Sequence, residues 1–151
     1  MREILFRGKI EQSIYEPIAE NGWVYGNYIE CLDDHWRNID ENSNDITETR
    51  PMIFTIIESK GMKQHIRIPI IPKTLGQYTG ITDTNGNKIF DGDIVKVELV
   101  DGEYFTTGYV RKDEASYVVF GNEKGKVMNV SDSYEIVGNI YDNSDIWEEL
   151  K

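Results

Sequence analysis

Apolar and polar residues alternate with a period of two along much of this chain, the pattern of strands that bury one face. "REILFRGKI", residues 2–10, is the first such segment. Asn21-Gly22, a hairpin-turn dipeptide, then precedes an aromatic strand over 23–32. "DDHWRNIDENSNDITETR", residues 33–50, is polar and rich in Asp, Asn and Ser, which predicts a long surface loop with room for a turn of helix. "MIFTIIE" and "KQHIRIPI" flank "SKGM", so a hairpin with a glycine turn is predicted. In its return strand Gln64, Ile66, Ile68 and Ile70 share one face, with His65 and Arg67 on the other. Pro69 and Pro72 cannot donate to a ladder, so this strand ends there or lies at an edge.

The second half continues the pattern. "DIVKVELV" puts Val95, Val97 and Leu99 on one face and Lys96 and Glu98 on the other, and Asp101-Gly102 follows as a hairpin turn. "YFTTGYV", "ASYVVF", "KVMNV" and "YEIVGNIY" come next, separated by Gly, Asn, Asp or Ser. Five short strands in about 55 residues predict a small curled, SH3-like β-barrel, with Gly108 and Gly138 marking bends or bulges. Asp145 followed by Glu148 signals a short terminal helix over 143–151. The predicted fold is therefore mainly β and a single domain, 1–151. Its parts are an N-terminal β part (1–73) with an acidic loop (33–50), a glycine-rich segment and barrel (74–142), and the helix.

Composition narrows the class. A chain of 151 residues with 39% hydrophobic content, nine tyrosines, three tryptophans and five phenylalanines can build a core. No apolar run approaches the roughly 18 residues needed to span a bilayer, and charges interrupt the N-terminal apolar residues, unlike a secretory signal. One cysteine, Cys31, permits no internal disulfide. The expected location is the cytoplasm, with no membrane partner.

The formal net charge is −11, which argues against double-stranded DNA, because phosphate binding needs clustered cations. Lys60, Lys63, Arg67 and Lys73 make only a loose basic patch. Residues 30–48 carry seven acids against one arginine, either a solvated loop or a surface for a basic partner.

Residues 74–99, "TLGQYTGITDTNGNKIFDGDIVKVEL", pose the main chemical question. They contain neither GxxxxGK[ST] nor GxGxxG, and a strand rather than a helix follows, so no phosphate loop is predicted. Asp83, Asp91 and Asp93 could in principle converge on a metal, but each has a turn to make. Asp83 and Thr84 lead into Asn85-Gly86, read as a type I′ pair with both residues at positive φ, and Asp91-Gly92-Asp93 is a second turn with Gly92 left-handed. Cys31, Asp33, Asp34 and His35 are close in sequence, yet Cys31, His35 and His65 are the only Cys or His residues, too few for a closed zinc site. No metal, cofactor or catalytic constellation is predicted. Trp23, Tyr25 and Tyr28 are candidates for a stacking platform, although aromatic strand residues usually serve a core. Gln77 and Tyr78, between Gly76 and Gly80, could bind a ligand or brace the chain, the ring packed and the amide bonded to nearby backbone.

"REILFRG" near the start, "WVYG" at 23–26, "TLGQYTGITDTNGNKIFDGDIV" at 74–95 and "EIVGNIYDN" at 135–143 together resemble the YopX family of phage and prophage proteins. Residues 27–72 match it mainly in length and pattern. The resemblance implies a phage or prophage origin and a mainly β fold with a barrel-like C-terminal part. It transfers no catalytic residue, since the family has no assigned activity. Its structural signature falls here on Gly76, Gly80, Asp83, Asn85, Gly86, Gly92, Asp93, Gly138 and Asn139.

Two functions follow as expectations. The first is a non-catalytic accessory that binds a host or phage protein, basic if the acidic surface recognises it, with self-association as one form. The second is a β-barrel that binds single-stranded nucleic acid by stacking.

Overall fold

The computed structural model describes residues 3–32, 49–100, 104–113, 116–121 and 127–150. They form two units, Leu5–Leu75 and Gly76–Lys151 with Met1–Ile4. The expected surface loop over 33–48 and the Asp101-Gly102 turn lie outside the described residues.

The N-terminal unit contains β1 (Phe6–Lys9), β2 (Trp23–Leu32), β3 (Thr49–Ser59) and β4 (Met62–Pro69), in the antiparallel order β4-β3-β2-β1. Its two tight turns use left-handed backbone at both central residues. Asn21 (φ 51°) and Gly22 (φ 82°) lead into β2, while Lys60 (φ 53°) and Gly61 (φ 76°) join β3 to β4. Thr49 and Arg50, read as the end of the loop, instead open β3. Val24, Ile53, Ile68 and Ile70 form a buried cluster, with Phe6, Ile10, Ile66 and Leu75 packed on it. Tyr15 and Ala19, in and after a 3-10 helix at Ser13–Ile18, pack on the same cluster.

The first strand departs from expectation. It spans four residues rather than 2–10, and Arg7 is buried rather than solvated. The reason is aromatic. Arg7 and Lys9 share a sheet face with Trp23 and Tyr25, their register partners. The guanidinium lies 4.5 Å from the Trp23 ring centre and the Lys9 ammonium 5.7 Å from it. A ring face offers a buried cation an electrostatic partner that simple hydropathy alternation ignores.

The C-terminal unit starts with a hairpin, β5 (Gly76–Thr82) and β6 (Lys88–Phe90). An antiparallel sheet follows, made of β7 (Asp93–Val100), β8 (Tyr104–Asp113), β9 (Ser116–Gly121), β10 (Val127–Asn129) and β11 (Glu135–Asn139). Its order is β10-β9-β8-β7-β11. Among the described residues the two end strands do not pair, so no closed barrel is formed by them. Ile89, Val95, Val97, Val110, Val119 and Val130 pack with Tyr117 and Tyr134 as the core. A short helix, α1 (Ser144–Leu150), sets Trp147 edge-on against Tyr109 at 4.9 Å between ring centres.

Gly138 does mark a bulge, since register slips between Ile136 and Gly138 against β7. Gly108 does not. It pairs in regular register with Val95 and Gly121, and a Cβ there would lie 2.7 Å from the Phe120 carbonyl oxygen. Close packing, rather than curvature, requires that glycine.

This contrast generates a prediction. At Gly86 a Cβ would meet nothing within 4 Å, so Gly86→Ala costs only its left-handed backbone, about 1 kcal/mol. Gly108→Ala must move a neighbouring strand and should cost more, roughly 2–3 kcal/mol. Urea denaturation of both variants tests this, and equal losses would contradict the packing account.

Candidate functional site

The glycine-rich signature is organised by carboxylates that accept backbone N–H groups. Asp83 N–H donates to the Asn87 carbonyl at 2.8 Å, and Gly86 N–H to the Asp83 carbonyl at 3.0 Å. Asp83 Oδ1 accepts the N–H groups of Asn85 (2.9 Å) and Asn87 (2.8 Å). Its Oδ2 accepts Ile136 N–H at 3.2 Å and the Asn87 side-chain amide at 3.4 Å. Only Gly86 (φ 83°) is left-handed here, and Asn85 is not. The type I′ pair expected from sequence is therefore replaced by an aspartate-centred loop, because the carboxylate already fixes the Asn85 and Asn87 amides.

Burial pushes the Asp83 carboxyl up, but the donors from Asn87, Ile136 and Asn85 outweigh it and hold its pKa below the ordinary aspartate value. Asp93 plays a similar part in the next turn. Its Oδ2 accepts Phe90 N–H at 2.7 Å, across a turn in which Gly92 has φ 89°. Gly76 admits the Asp91 carbonyl, which would be 2.6 Å from a Cβ. Gly80 has φ 89° and lies where the β5–β6 register shifts. Asn139 Oδ1 accepts the N–H groups of Tyr141 (3.0 Å) and Asp142 (2.9 Å), shaping the bend after β11. Among the described residues no three His, Cys, Asp or Glu side chains are grouped to hold a metal. A shallow groove of about 440 Å³, lined by Gly80, Ile81, Thr82, Val130, Ser131 and Asp132, offers little beyond polar rims.

The aromatic candidates are dispersed. Trp23 and Tyr25 share one face of β2, and Tyr28 lies on the other by strand parity, 5.6 Å from Phe6. Tyr28 donates to Glu30 at 2.5 Å; that bond, then burial and the Glu30 charge, raise its pKa. Tyr78 is buried beside Phe90 at 5.7 Å, with Lys88 Nζ 5.4 Å from its ring centre. Gln77 Oε1 accepts the Tyr117 hydroxyl at 3.0 Å, so its amide meets a side chain rather than the nearby backbone that was expected. Gln77 and Tyr78 belong to one unit and Trp23 and Tyr25 to the other. Cys31 is half-buried opposite Arg50, and Asp33, Asp34 and His35 lie outside the described residues.

A different surface emerges on the β3–β4 hairpin. Among the described residues β4 pairs only with β3, so its other side is a sheet edge. Ser59 and Met62 close the two-residue turn, and ladder hydrogen bonds recur at alternate residues. Met62, Gln64 and Ile66 therefore bond back to β3, while the N–H and C=O groups of Lys63, His65 and Arg67 point outward. Two bonds farther along agree: Ile70 N–H donates back to Pro51, and the outward Pro69 carbonyl accepts Glu11 N–H, each at 3.4 Å. That last contact ends the open edge. Lys60, Lys63, His65 and Arg67 are exposed, and His65 stacks on Phe54 at 5.4 Å. Exposed Ile56 is the register partner of His65.

With this geometry in place, comparison with known proteins gives a family. The model of the family described as YopX protein matches residues 20–148. The chain belongs to the YopX family. It is also similar, at 18% identity, to the crystal structure of protein EF1440 from Enterococcus faecalis, which covers 97% of this chain and 99% of that one at a TM-score of 0.48. No curated protein matches it significantly.

The match spans most of this YopX chain; Pro69 and Pro72 already allowed an edge strand, but which of its residues face outward was missed. Lys63 and Arg67 were read as part of a loose basic patch. The usable signal was parity, because a two-residue turn at Lys60-Gly61 fixes which residues face outward.

Two variants test these roles. Asp83→Asn keeps the size but loses charge-assisted hydrogen bonds, and should destabilise the protein by about 1–3 kcal/mol at neutral pH. A depressed folded pKa gives stability that is complete above the unfolded value, near ~3.9, and is lost as pH falls through the folded one. The gap between wild type and Asp83→Asn should therefore narrow below about pH 4 in chemical denaturation. A gap constant from pH 7 to 2 would contradict this role. Tyr78→Ala should cost roughly 3–5 kcal/mol, as loss of a buried ring does, and an unchanged melting temperature would remove the bracing role.

Proposed function

We propose that this YopX protein is a non-catalytic, cofactor-independent protein-binding module, encoded by a phage or prophage and working in the cytoplasm of the bacterial cell. The observation that carries the reading is the β3–β4 hairpin. It combines an open edge with two highly exposed apolar side chains, Ile56 (54%) and Met62 (60%). Exposed strand edges are usually blunted or covered because they template pairing with another chain. Such an edge beside exposed apolar groups supports use as a docking element. The finer expectation of an SH3-like curl for the C-terminal sheet stays within this proposal, supported by the register shifts in β7 and β11.

Single-stranded nucleic acid is less well supported. Stacking of bases needs open ring faces, and cations already lie over Trp23 and Tyr78.

Ile56→Asp tests the proposal. Because Ile56 is exposed, the variant should change stability by only about 0.5 kcal/mol. In affinity purification from the bacterial host it should lose partners that the wild type retains. A correctly folded Ile56→Asp protein with an unchanged set of partners would refute the hairpin as the docking element.

A further inference from the structure

Within residues 49–75 there are five cations, Arg50, Lys60, Lys63, Arg67 and Lys73, against one acid, Glu58, in a chain of net charge −11. Arg50 is paired with Glu11. Among the described residues the other four have no ion-pair partner. Two of them, Lys63 and Arg67, alternate with His65 along one face of β4, and the outward hydrogen-bonding groups of the strand belong to the same three residues. Backbone pairing and charge recognition are thus offered together.

We propose that the β4 edge binds an extended acidic segment of a partner protein, added as a further strand, with carboxylates four residues apart facing Lys63 and Arg67. This inference rests on the protein-binding reading and names its partner's chemistry. It names an acidic partner where the sequence reading named a basic one, because the side chains beside the open edge are Lys63, His65 and Arg67.

Directly opposed cross-strand side chains bring their Cβ atoms to about 4.5–5.5 Å, close enough for each carboxylate to meet a cation. Lys63 and Arg67, four residues apart, stand on the order of 13 Å apart along the strand, so the incoming segment must be extended. Between its carboxylates it presents one residue to His65, where an uncharged side chain fits best beside Phe54 and Ile56. A second copy of this edge is a poor occupant. Symmetric antiparallel pairing about His65 would put Lys63 opposite Arg67, and like charges there repel. Polyphosphate chains bring charge but no strand-forming N–H and C=O groups.

The test uses the full chain and three labelled probes in fluorescence anisotropy at low salt. They are a ten-residue peptide alternating Thr and Val with two glutamates four apart, the same peptide with lysines for glutamates, and a twelve-residue oligothymidylate. The acidic peptide alone should bind, and added salt should weaken it. Lys63→Glu with Arg67→Glu should reduce its affinity at least about tenfold at unchanged melting temperature. His65→Pro removes an outward N–H without touching the β3 ladder, so it should weaken binding where His65→Ala does so much less.

Absence of acidic-peptide binding, equal binding of the lysine peptide, or undiminished binding by His65→Pro would overturn the inference. If host partners are still lost on Ile56→Asp in that case, the protein-binding reading survives it. Tighter binding of oligothymidylate than of the acidic peptide, dependent on Lys63 and Arg67, would overturn both.

Discussion

The C-terminal unit depends on one carboxylate. Asp83 accepts N–H groups from its own loop and from Ile136 on β11, strands that are more than fifty residues apart in sequence. The neighbouring Thr84 N–H donates to the Tyr134 carbonyl at 2.9 Å, beside the same contact. Tyr134 and Ile136 are part of the core region, as is Ile89 on the strand that follows the loop. A buried carboxylate without donors would be costly, and buried N–H groups without acceptors equally so. Here each satisfies the other, and the loop is thereby fixed to β11. That is why so short a segment holds so many specified residues.

The N-terminal unit solves its polar burial by another route. Its long strands bury Val24, Ile53 and Ile68 on one face, as alternation demands. On the other face Arg7 is buried over Trp23, where the ring face gives the guanidinium an electrostatic partner. The same contact covers a face of the Trp23 ring, which is itself buried. Tyr25 and Tyr28 stay half-buried on opposite faces of β2, while the exposed cations lie on β4.

What was legible in the sequence followed local rules. The strand over Trp23–Leu32 was readable because Asn21-Gly22 fixes its start, and the Lys60-Gly61 turn likewise fixed both strands around it. What was not legible needed partners distant in sequence. Nothing near Arg7 shows that an indole will lie under it, and nothing near Asn85 shows that Ile136 will help Asp83 to set the loop. Gly108 was misread for the same reason, since the Phe120 carbonyl that requires it arrives from another strand. As for the candidate site, Gln77 and Tyr78 were visible as unusual, but the Tyr117 hydroxyl that engages Gln77 was not. Pro69 and Pro72 left open whether β4 ends early or lies at an edge, and only the strand order decides it.

Net charge was the least informative quantity for recognition. At physiological salt, charges act over about 8 Å, so the −11 total does not set the potential at a given strand. The β4 edge sees Lys63, Arg67 and Lys60 first, with Glu58 as the opposing charge across the ladder. Lysine on an exposed edge ordinarily discourages pairing with like strands. The same residue attracts a strand that is acidic, so one placement of charge can oppose like strands and favour unlike ones.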